Sequence, residues 1–371
     1  MERRSFLSRA GAGVGIGAAL VAAPAITKAA LPAVRWRCQS GFPRALDILF
    51  DTSLDIARRV SEGTGGRFDI TIAPAGEIVP VMQSAEAVMA GTIESANIGA
   101  FWFIGKSPIW AFGGGTIPFG MNGRQFSAWW KDGDGERMFN DWMRQRGALF
   151  IVAGHTGTQM GGWFRREIRS VADVNGLKIR VTGLAATVWD AAGAVPQMLP
   201  AADIFPALER GTIEAAEWVG PHDDERLGFH RVARFYYYPG FAEGSGPPGF
   251  LINTRAWDAL PGEYRSIFTT AAHEAMTTML ARYDTRNELA LRRLIAGGTQ
   301  LRRFPLPVFE TFWGHTQAMY AEMGRANADF KRFYDHYASF QRRAVAWSRI
   351  QENSFDDMIA HVMRRRPVAG T

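Results

Sequence analysis

The pattern of apolar and polar positions predicts alternating strands and helices through the first part of the chain. Residues 34–39 (VRWRCQ) and 68–73 (FDITIA) are strand-like, and residues 93–98 form a third predicted strand. Between them, helical spacing of apolar residues predicts helices over 44–62 and 79–90. This β-α-β-α-β order is typical of a mostly parallel sheet with helices packed on its faces.

A second α/β unit of similar style follows. Its last predicted strand, FYYYP, leads into a Gly/Pro-rich segment, FAEGSGPPG, which indicates a crossing between two domains. The other predicted elements of this region are helices over 125–146, from about 184, over 203–210 and over 222–234, and strands over 177–181 (LKIRV) and 212–218 (TIEAAEW).

The C-terminal region has a long helical pattern. No proline occurs between residues 308 and 366, and aromatic residues such as Phe309, Trp313, Tyr320 and Phe330 recur at mostly helical spacings. Such a long pattern cannot bury its apolar stripe against itself. We expect it to pack across both domains or against another chain.

The N-terminal segment is predicted to be a targeting signal. Arg3-Arg4-Ser5-Phe6-Leu7 is a twin-arginine signature, and a Gly/Ala-rich apolar run follows it, with cleavage expected near residues 29–30. A non-cleaved anchor is the alternative reading. Export by the twin-arginine pathway predicts a folded protein in the periplasm, and it is also common among enzymes that carry cofactors.

Composition and charge exclude several classes. The chain has 371 residues, of which 47% are hydrophobic and 21% charged, as in ordinary soluble proteins. Without residues 1–30, which hold four basic residues and one acidic residue, the formal net charge falls from +6 to +3. The charge is mild and spread out, so no nucleic-acid partner is expected. Cys38 is the single cysteine, which excludes an intramolecular disulfide and a cysteine metal cluster.

Several residues are candidates for binding a carboxylate. Arg180 shares one face of the strand 177–181 with Lys178, and simple burial does not explain both. A strand-borne arginine beside a crevice can grip a carboxylate with two hydrogen bonds, and an internal ion pair is the alternative. Phe101, Trp102 and Phe103 follow the third strand, where ligands of parallel sheets bind, or else they pack between layers.

Oxygen donors near Arg180 suggest a cation. Gln159 follows a strand end in GTQMGG, Glu217 and Trp218 end a strand before a Gly-Pro turn, and Glu243 lies in the predicted crossing. Taken alone, Gln159 is a turn residue and each glutamate a solvated loop carboxylate. Together, the two glutamates would repel an acidic solute unless a cation lay between them. Carboxylate, amide and carbonyl oxygens suit Na⁺ or Ca²⁺ rather than Zn²⁺.

These residues lie in segments that resemble the periplasmic solute-binding proteins of tripartite ATP-independent periplasmic (TRAP) transporters. The resemblance runs from WRCQSGFPRALD to the C-terminal helix. LPAADIFPALERG and the strand arginine are typical of the family. EWVGP, DDE and YYYPG are typical of its subgroup for 2-oxo and 2-hydroxy monocarboxylates, such as pyruvate or lactate, bound with a metal ion.

The resemblance implies a role for each candidate residue. Arg180 would grip the ligand carboxylate, and Gln159 would contact both ligand and ion. Glu217 and the backbone oxygen of Trp218 would bind the ion, and Glu243 would be a further pocket residue. The pocket aromatics correspond to Trp102 and Phe103, where the string AFWF departs from the expected tyrosine-rich string and favours a bulkier or more apolar ligand.

The resemblance also implies an α/β fold like that of periplasmic binding proteins, with two domains, mixed or parallel sheets, a spanning helix and a long C-terminal helix. Domain I would comprise residues 31–155 and 246–285, and domain II residues 156–245 and 286–307. Residues 308–371 would form the C-terminal helical region, through which two chains could exchange helices in a homodimer.

Binding is the leading hypothesis. The protein would capture a small organic acid with a cation and deliver it to TRAP membrane permease subunits. The alternatives are an exported enzyme that uses Glu217, His222 or Asp223 as acid–base groups on a hydroxy or oxo acid, and a scaffold that uses the long helix. No nucleophile elbow, HExxH motif or P-loop occurs in the sequence, which disfavours an enzyme. We expect His222 to be solvated or capping, and Pro221 to Glu225 to begin a helix, with Asp223, Asp224 and Glu225 suited to its positive dipole end.

Overall fold

Two β-sheets form the framework of the computed structural model, which describes residues 31–365. Their strands are β1 (Val34–Ser40), β2 (Phe68–Ala73), β3 (Ser95–Ile98), β4 (Ala148–Val152), β5 (Gly162–Phe164), β6 (Lys178–Arg180), β7 (Val195–Gln197), β8 (Ala215–Ala216), β9 (Phe235–Tyr238), β10 (Gly249–Asn253) and β11 (Gln300–Arg303). The first sheet has the order β2-β1-β3-β10-β4, and the second has the order β11-β9-β5-β8-β6-β7.

Both sheets are mixed rather than purely parallel. In the first, β1 runs parallel to β2 and β3, whereas β10 is antiparallel to β3 and β4. In the second, β6 is parallel to β7 and β8, and β5 is antiparallel to β8 and β9. Strand β10 enters the first sheet after the chain has returned from the second, which gives it the reversed direction.

Helices cover the sheets and connect their strands. They are α1 (Asp47–Gly63), α2 (Ser84–Ala90), α3 (Trp110–Gly113), α4 (Gly123–Lys131), α5 (Gly135–Arg144), α6 (Ala185–Ala191), α7 (Ala201–Glu209), α8 (Pro221–Arg226), α9 (Thr254–Asp258), α10 (Gly262–Ala296), α11 (Leu306–Ala326), α12 (Ala328–Ile350) and α13 (Glu352–Arg365). Short 3₁₀ turns occur at Val81–Gln83, Ala100–Phe103, Val171–Val174 and Phe229–Arg231.

Two predicted helices are shorter than expected. The helix predicted over 125–146 is divided into α4 and α5, because Asp134 between two glycines adopts a left-handed φ of 67°. The helix predicted over 222–234 ends at Arg226. The chain then turns at Gly228, whose φ is 79°.

The chain passes between the sheets through residues 153–161 and again through residues 239–248. These two segments lie side by side, since Ala153 N donates to Pro248 O at 2.9 Å and Thr156 N donates to Gly246 O at 3.1 Å. Helix α10 also spans the molecule, packing against both α1 and α8. Helix α10 is continuous through residue 285, where one of the predicted domain boundaries lies. The domain boundaries remain a prediction.

The C-terminal region is not one unbroken helix. Asn327 is extended and caps α12, its side chain accepting from Phe330 N, so α11 and α12 are separate helices. Their apolar faces are buried against this same chain: Phe312 packs on Trp189 with ring centroids 4.5 Å apart, and the Tyr337 hydroxyl accepts a hydrogen bond from Met121 N. Helix α13, in contrast, contains no buried residue.

The predicted targeting signal, residues 1–30, lies outside the described residues. Within residues 31–365, no helix combines the length and the apolar character that crossing a bilayer requires.

Candidate functional site

Strand ends from both sheets converge on a cavity of about 420 Å³, which we call the inner cavity. Parallel strands β1 and β3 end beside it in the first sheet, and β6 and β8 end beside it in the second. The two crossing segments complete its wall. Its lining residues are Phe42, Leu49, Gly99, Phe101, Trp102, Thr156, Gln159, Arg180, Thr182, Glu217, Trp218, Val219, Glu243, Gly246 and Pro248.

Arg180 is held rigidly at the end of β6, where only 2% of the residue is exposed. Its Nη1 donates to the backbone carbonyl of Glu217, and its Nε donates to Leu199 O at 3.2 Å. The guanidinium also stacks over the Trp218 ring, 4.7 Å from the centroid. Burial lowers the pKa of Arg180, yet an arginine remains charged at neutral pH.

The Nη2 end of the Arg180 guanidinium is available to a ligand. Among residues 31–365, no hydrogen-bond acceptor is recorded for its Nη2. A buried, charged donor with fixed neighbours and an open N–H group is suited to bind a carboxylate. Arg180 therefore lines the inner cavity, and its role as the carboxylate clamp remains a prediction.

Two buried glutamates flank this arginine. Glu217 and Glu243 are each 4% exposed, and Glu217 Oε2 lies 3.4 Å from Arg180 Nη1. Burial raises the pKa of Glu217 to about 8, although the charge of Arg180 opposes the shift. Burial and the charge of Glu217 raise the pKa of Glu243 well above its ordinary value. Two negative charges are thus costly here in the absence of a further positive charge.

Several oxygen atoms at this place lack partners. Gln159 Oε1, Glu217 Oε1 and Glu243 Oε2 are buried and accept no well-formed hydrogen bond from the described residues, although the Gln159 side chain lies close enough to Glu243 to oppose the rise of its pKa. The backbone carbonyl of Trp218 likewise accepts none within residues 31–365. Buried oxygens without partners are costly, and a cation is a group that could satisfy several of them at once.

Gln159 and Gly246 shape the space around these oxygens. Gln159 Nε2 donates to Thr156 Oγ1 at 3.1 Å, and Gln159 N donates to Glu243 O at 3.1 Å. A Cβ added at Gly246 would meet Gln159 Nε2, and it would lie 2.6 Å from Thr156 Oγ1 and 3.0 Å from Glu243 Oε2. Glycine therefore allows the side chains of Gln159, Thr156 and Glu243 to lie close to the backbone here.

The oxygen donors fit a hard cation. Within the described residues, no group of three or more His, Cys, Asp or Glu side chains is arranged to hold a metal ion. The donors are instead two carboxylates, one amide oxygen and one backbone carbonyl, the ligand types that Na⁺ and Ca²⁺ accept. Two carboxylates with neutral oxygens suit these ions better than a cluster of nitrogen or sulfur ligands would.

The aromatic side of the cavity differs from the prediction. Trp102 lines the cavity with Phe101 beside it, their ring centroids 5.9 Å apart. Phe103 is not part of the lining, because its ring is buried against Trp110, 5.2 Å away. Residues 100–103 form a 3₁₀ turn, which gives Phe101 and Phe103 different directions from those of an extended strand. Of the three aromatic residues after β3, Phe101 and Trp102 therefore line the inner cavity and Phe103 does not.

Residues 42–327 match the family described as bacterial extracellular solute-binding protein, family 7 (DctP). The chain belongs to this family. It is 42% identical to the monocarboxylate 2-oxoacid-binding periplasmic protein of Nostoc sp. over 330 residues, which cover 89% of this chain and 90% of that protein. The resemblance to TRAP solute-binding proteins, inferred from the sequence, is confirmed.

Solved structures of TRAP solute-binding proteins share the fold. One from Bordetella bronchiseptica is 42% identical, with a TM-score of 0.88 over 90% of this chain and 100% of that chain; it is a mixed-occupancy dimer with copurified calcium and picolinate. One from Pseudoalteromonas atlantica, with bound sodium and pyruvate, is 31% identical, with a TM-score of 0.85 over 88% of this chain and 99% of that chain. The predicted two-domain fold of periplasmic binding proteins is thus confirmed.

Because the chain belongs to a solute-binding family, we set the enzyme alternative aside. The structure also shows what His222 and Asp223, two of its proposed acid–base groups, contact instead. His222 is buried, not solvated: its Nε2 lies 2.9 Å from Asp47 Oδ1, and its backbone N donates to Asn287. Asp223 accepts a hydrogen bond from the Tyr283 hydroxyl at 2.8 Å. Neither His222 nor Asp223 lines the inner cavity of this solute-binding protein.

The expected helix start is confirmed, because α8 begins at Pro221. Asp223 and Asp224 do lie in the first turn of α8, yet both are fully buried. Asp224 Oδ2 accepts from Trp163 Nε1 at 2.9 Å and from the Tyr236 hydroxyl at 2.7 Å. Burial raises the pKa of Asp223 to about 7 and that of Asp224 to about 6. These residues anchor α8 in the core.

Some lining residues of the inner cavity were missed. Thr182 follows Arg180 by two positions, so strand alternation could have found it. Phe42 follows the end of β1, and the rule that pointed to Trp102 applies equally to it. Leu49 on α1 and Pro248 in the second crossing carry no local signal, because only the fold brings them to the cavity.

Proposed function

We propose that this solute-binding protein captures a small 2-oxo or 2-hydroxy carboxylate together with Na⁺ or Ca²⁺ and delivers it to the membrane permease subunits of a TRAP transporter. The observation that carries the proposal is a set of buried oxygens without partners, from Gln159, Glu217 and Glu243, next to the open Nη2 of Arg180. An anion bound to Nη2 and a cation bound to the oxygens would together satisfy these groups.

The inner cavity gives each partner a role. Arg180 would bind the ligand carboxylate, while Gln159, Glu217, Glu243 and the Trp218 carbonyl would face the cation. The cation supplies positive charge between the glutamates and the ligand, and it holds the ligand through its oxygens. Without it, Glu217 and Glu243 would repel the carboxylate or remain protonated.

The chemistry of the ligands in related structures supports this class of acid. Pyruvate carries an oxo oxygen, and picolinate carries a ring nitrogen, on the carbon next to the carboxylate. Both can bind one cation through a carboxylate oxygen and the neighbouring atom. A 2-oxo or 2-hydroxy acid has the same arrangement of donors.

Residues 1–30 are proposed to direct export by the twin-arginine pathway and to be removed near residues 29–30. Support comes from Arg3-Arg4-Ser5-Phe6-Leu7 and from the name of the Nostoc relative as a periplasmic protein. The periplasm is then the place where the protein meets its ligand. We also propose that the boundaries between the two domains lie between residues 155 and 156, between residues 245 and 246, and between residues 285 and 286.

We also propose a homodimer formed through helix α13. Its exposed apolar residues recur at helical spacing and continue from Trp347 and Ile350 of α12; they are Phe355, Met358, Ile359, Val362 and Met363. A second copy of this chain is the proposed partner for the stripe, since the Bordetella relative was solved as a dimer. Exchange of C-terminal helices between the two copies is one way to cover it.

A thermal-shift comparison of matched acids tests the ligand class. Pyruvate and lactate are compared with propionate, which lacks the 2-oxygen, each in buffer containing Na⁺, Ca²⁺ or only choline with a chelator. We expect stabilisation by pyruvate or lactate that needs one of the two cations. Equal stabilisation by propionate, or stabilisation independent of cations, contradicts the proposal.

A further inference from the structure

The backbone on either side of Trp218 is held by hydrogen bonds from other parts of the chain. Glu217 N donates to Arg180 O at 2.9 Å, and the Glu217 carbonyl accepts from Arg180 Nη1. The Val219 carbonyl accepts from Met160 N at 3.1 Å. Between these two paired carbonyls lies the carbonyl of Trp218, which is the one proposed to face the cation.

Asp224 holds the peptide group between Trp218 and Val219. Its Oδ1 accepts a hydrogen bond from Val219 N at 3.4 Å. In a trans peptide the N–H and C=O groups point in opposite directions. A contact that holds Val219 N–H toward α8 therefore holds the Trp218 carbonyl away from α8.

The Asp224 carboxylate is itself fixed by two donors from the second sheet. Its Oδ2 accepts from Trp163 Nε1 at 2.9 Å and from the Tyr236 hydroxyl at 2.7 Å, and the residue is 1% exposed. The two rings lie on paired positions of β5 and β9 and are stacked, with centroids 4.1 Å apart. An ionised carboxylate only accepts hydrogen bonds, so it suits a place where donors approach both oxygens.

Helix α8, which carries Asp224, is anchored to the long helix α10. His222 N donates to Asn287 Oδ1 at 2.9 Å, and the Tyr283 hydroxyl donates to Asp223 Oδ2 at 2.8 Å. The carboxylate of Asp224 is thus presented to Val219 N from a fixed position.

We propose that Asp224 is a positioning residue for the cation, because its contact with Val219 N–H keeps the Trp218 carbonyl in the direction that binds the ion. The inference rests on the proposed function, since it requires a cation at this carbonyl. Asp224 is not among the residues that line the inner cavity, so it acts through the peptide group and not by contact with the ion or the acid.

Asp224→Asn changes the hydrogen bonding of this residue while keeping its shape. The amide has one oxygen, and when that oxygen accepts from Trp163 and Tyr236, the NH₂ group faces Val219 N–H, so that two donors oppose each other. We expect affinity for the cation that supports pyruvate binding, Ca²⁺ or Na⁺, to fall about 10-fold or more, as is usual when a group that orients a metal ligand is lost. Pyruvate affinity at saturating cation should stay close to that of the wild type, because Arg180 is unchanged.

Addition of Trp163→Phe to Asp224→Asn should restore cation affinity. Without the indole N–H, the asparagine can donate to the Tyr236 hydroxyl and accept from Val219 N. If Asp224 served folding alone, loss of a second buried group would make the double variant worse, not better. Asp223→Asn is the matched control, because it removes the adjacent buried carboxyl, which contacts Tyr283, and it should bind the cation as the wild type does. Denaturant unfolding of each variant measures its stability separately.

The peptide group can also be observed directly. Trp218-Val219 is the only Trp-Val pair in the sequence, so ¹³C-carbonyl tryptophan combined with ¹⁵N-valine gives one NMR cross-peak for this peptide. In cation-free protein, Asp224→Asn should move the Val219 amide proton upfield, and the double variant should return it toward the wild-type position. In the wild type, cation and pyruvate together should shift the Trp218 carbonyl carbon.

The outcomes separate this inference from the function on which it rests. Wild-type cation affinity in Asp224→Asn, or a Val219 amide proton that does not move, overturns the positioning role alone. Weaker cation binding that Trp163→Phe does not restore, with an equal loss of pyruvate affinity, assigns Asp224 to folding and also overturns it. Failure of the wild type to bind pyruvate with either cation overturns the proposed function and this inference together.

Discussion

Arg180 donates a hydrogen bond to the backbone carbonyl of Glu217, and the Glu217 carboxylate lies 3.4 Å from the same guanidinium nitrogen, with both residues almost wholly buried. This ion pair is incomplete, because Glu217 Oε1 has no partner among the described residues. A second buried carboxylate, Glu243, adds to the negative charge. The site thus holds more buried carboxylate than its one arginine neutralises, which is the physical reason for expecting a cation.

Removal of the Arg180 guanidinium should abolish tight binding of the acid. We expect Arg180→Ala to weaken pyruvate binding by about 100-fold or more, since truncating one partner of a buried charge pair costs about 2–5 kcal/mol. Arg180→Lys should bind pyruvate with an affinity between those of the wild type and Arg180→Ala, because lysine retains the charge and lacks the planar fork. Arg58→Ala, at an exposed ion pair, is the matched control. Calorimetry that finds Arg180→Ala within tenfold of the wild type would reject the carboxylate role.

Gly246 should be necessary for the open space beside Gln159. A Cβ there would lie 2.6 Å from Thr156 Oγ1, so we expect Gly246→Ala to weaken ligand binding by about tenfold, as overpacking by one methyl group costs about 1–3 kcal/mol. Gly105→Ala, where a Cβ meets nothing within 4 Å, is the control. Unchanged affinity in Gly246→Ala would mean that ligand and cation lie elsewhere in the cavity.

Binding of ligand and cation should release protons at neutral pH. The raised pKa of Glu217, about 8, keeps its carboxyl mostly protonated at pH 7 in the ligand-free protein, and a cation requires it ionised. Affinity should therefore rise with pH. Calorimetry in two buffers with different ionisation enthalpies measures the number of protons, and we expect a smaller release at pH 9 than at pH 7. Heats that do not depend on the buffer would contradict this account.

The buried Asp223 should make stability depend on pH. Its folded pKa of about 7 lies above the unfolded value of 3.8. The stability contributed by the protonated carboxyl is therefore complete below pH 3.8 and is lost as the pH rises through about 7. Asp223→Asn does not titrate and can still accept from Tyr283. Its free energy of unfolding should exceed that of the wild type by about 1 kcal/mol or more at pH 8, and by little at pH 4.

Denaturant unfolding at a series of pH values measures this difference. Asp258→Asn, in an exposed ion pair, controls for the loss of a carboxyl group. A difference between Asp223→Asn and the wild type that is the same at pH 4 and pH 8 would show that Asp223 does not change its protonation state in the folded protein.

Helix α13 should be required for the dimer. We expect the chain to elute as a dimer in gel filtration with light scattering, and both deletion of residues 351–371 and the pair Phe355→Asp/Ile359→Asp to give monomers. Leu289→Asp, at an exposed position of α10, is the control. Dimers that survive the deletion would place the interface on another surface.

Much of the candidate site could be predicted from the sequence, because the signals that identify its residues come from neighbouring positions in the chain. Arg180 was identifiable from strand alternation, and Glu217 and Trp218 from a strand that ends before a Gly-Pro turn. Both signals depend only on neighbouring residues and on the rule that ligands bind beyond strand ends. The alternation of strands and helices gave the α/β class for the same reason.

The errors arose where distant residues decide the outcome. His222 was expected to be solvated or capping, and its burial depends on Asp47 and Asn287, which lie far along the chain. The burial of Asp223 and Asp224 likewise depends on Tyr283 and Trp163 and has no local signal. Phe103 lies outside the cavity lining because residues 100–103 form a 3₁₀ turn, which composition alone does not distinguish from an extended segment.

The end of α11 was missed for a different reason. Asn327 caps the helix that follows it, and an asparagine within a long apolar pattern is a weak signal compared with proline or glycine. The sequence therefore predicted the helical content of this region better than its division into helices.

Cation dependence of ligand binding is the most direct test of the central claim. Pyruvate is titrated calorimetrically into the purified protein in sodium-free, chelator-treated buffer, and then in the same buffer with Ca²⁺ or Na⁺ restored. The account predicts that one of these cations tightens pyruvate binding and, by linkage, that pyruvate tightens binding of that cation by the same factor. A dissociation constant for pyruvate that is the same with and without both cations would contradict it.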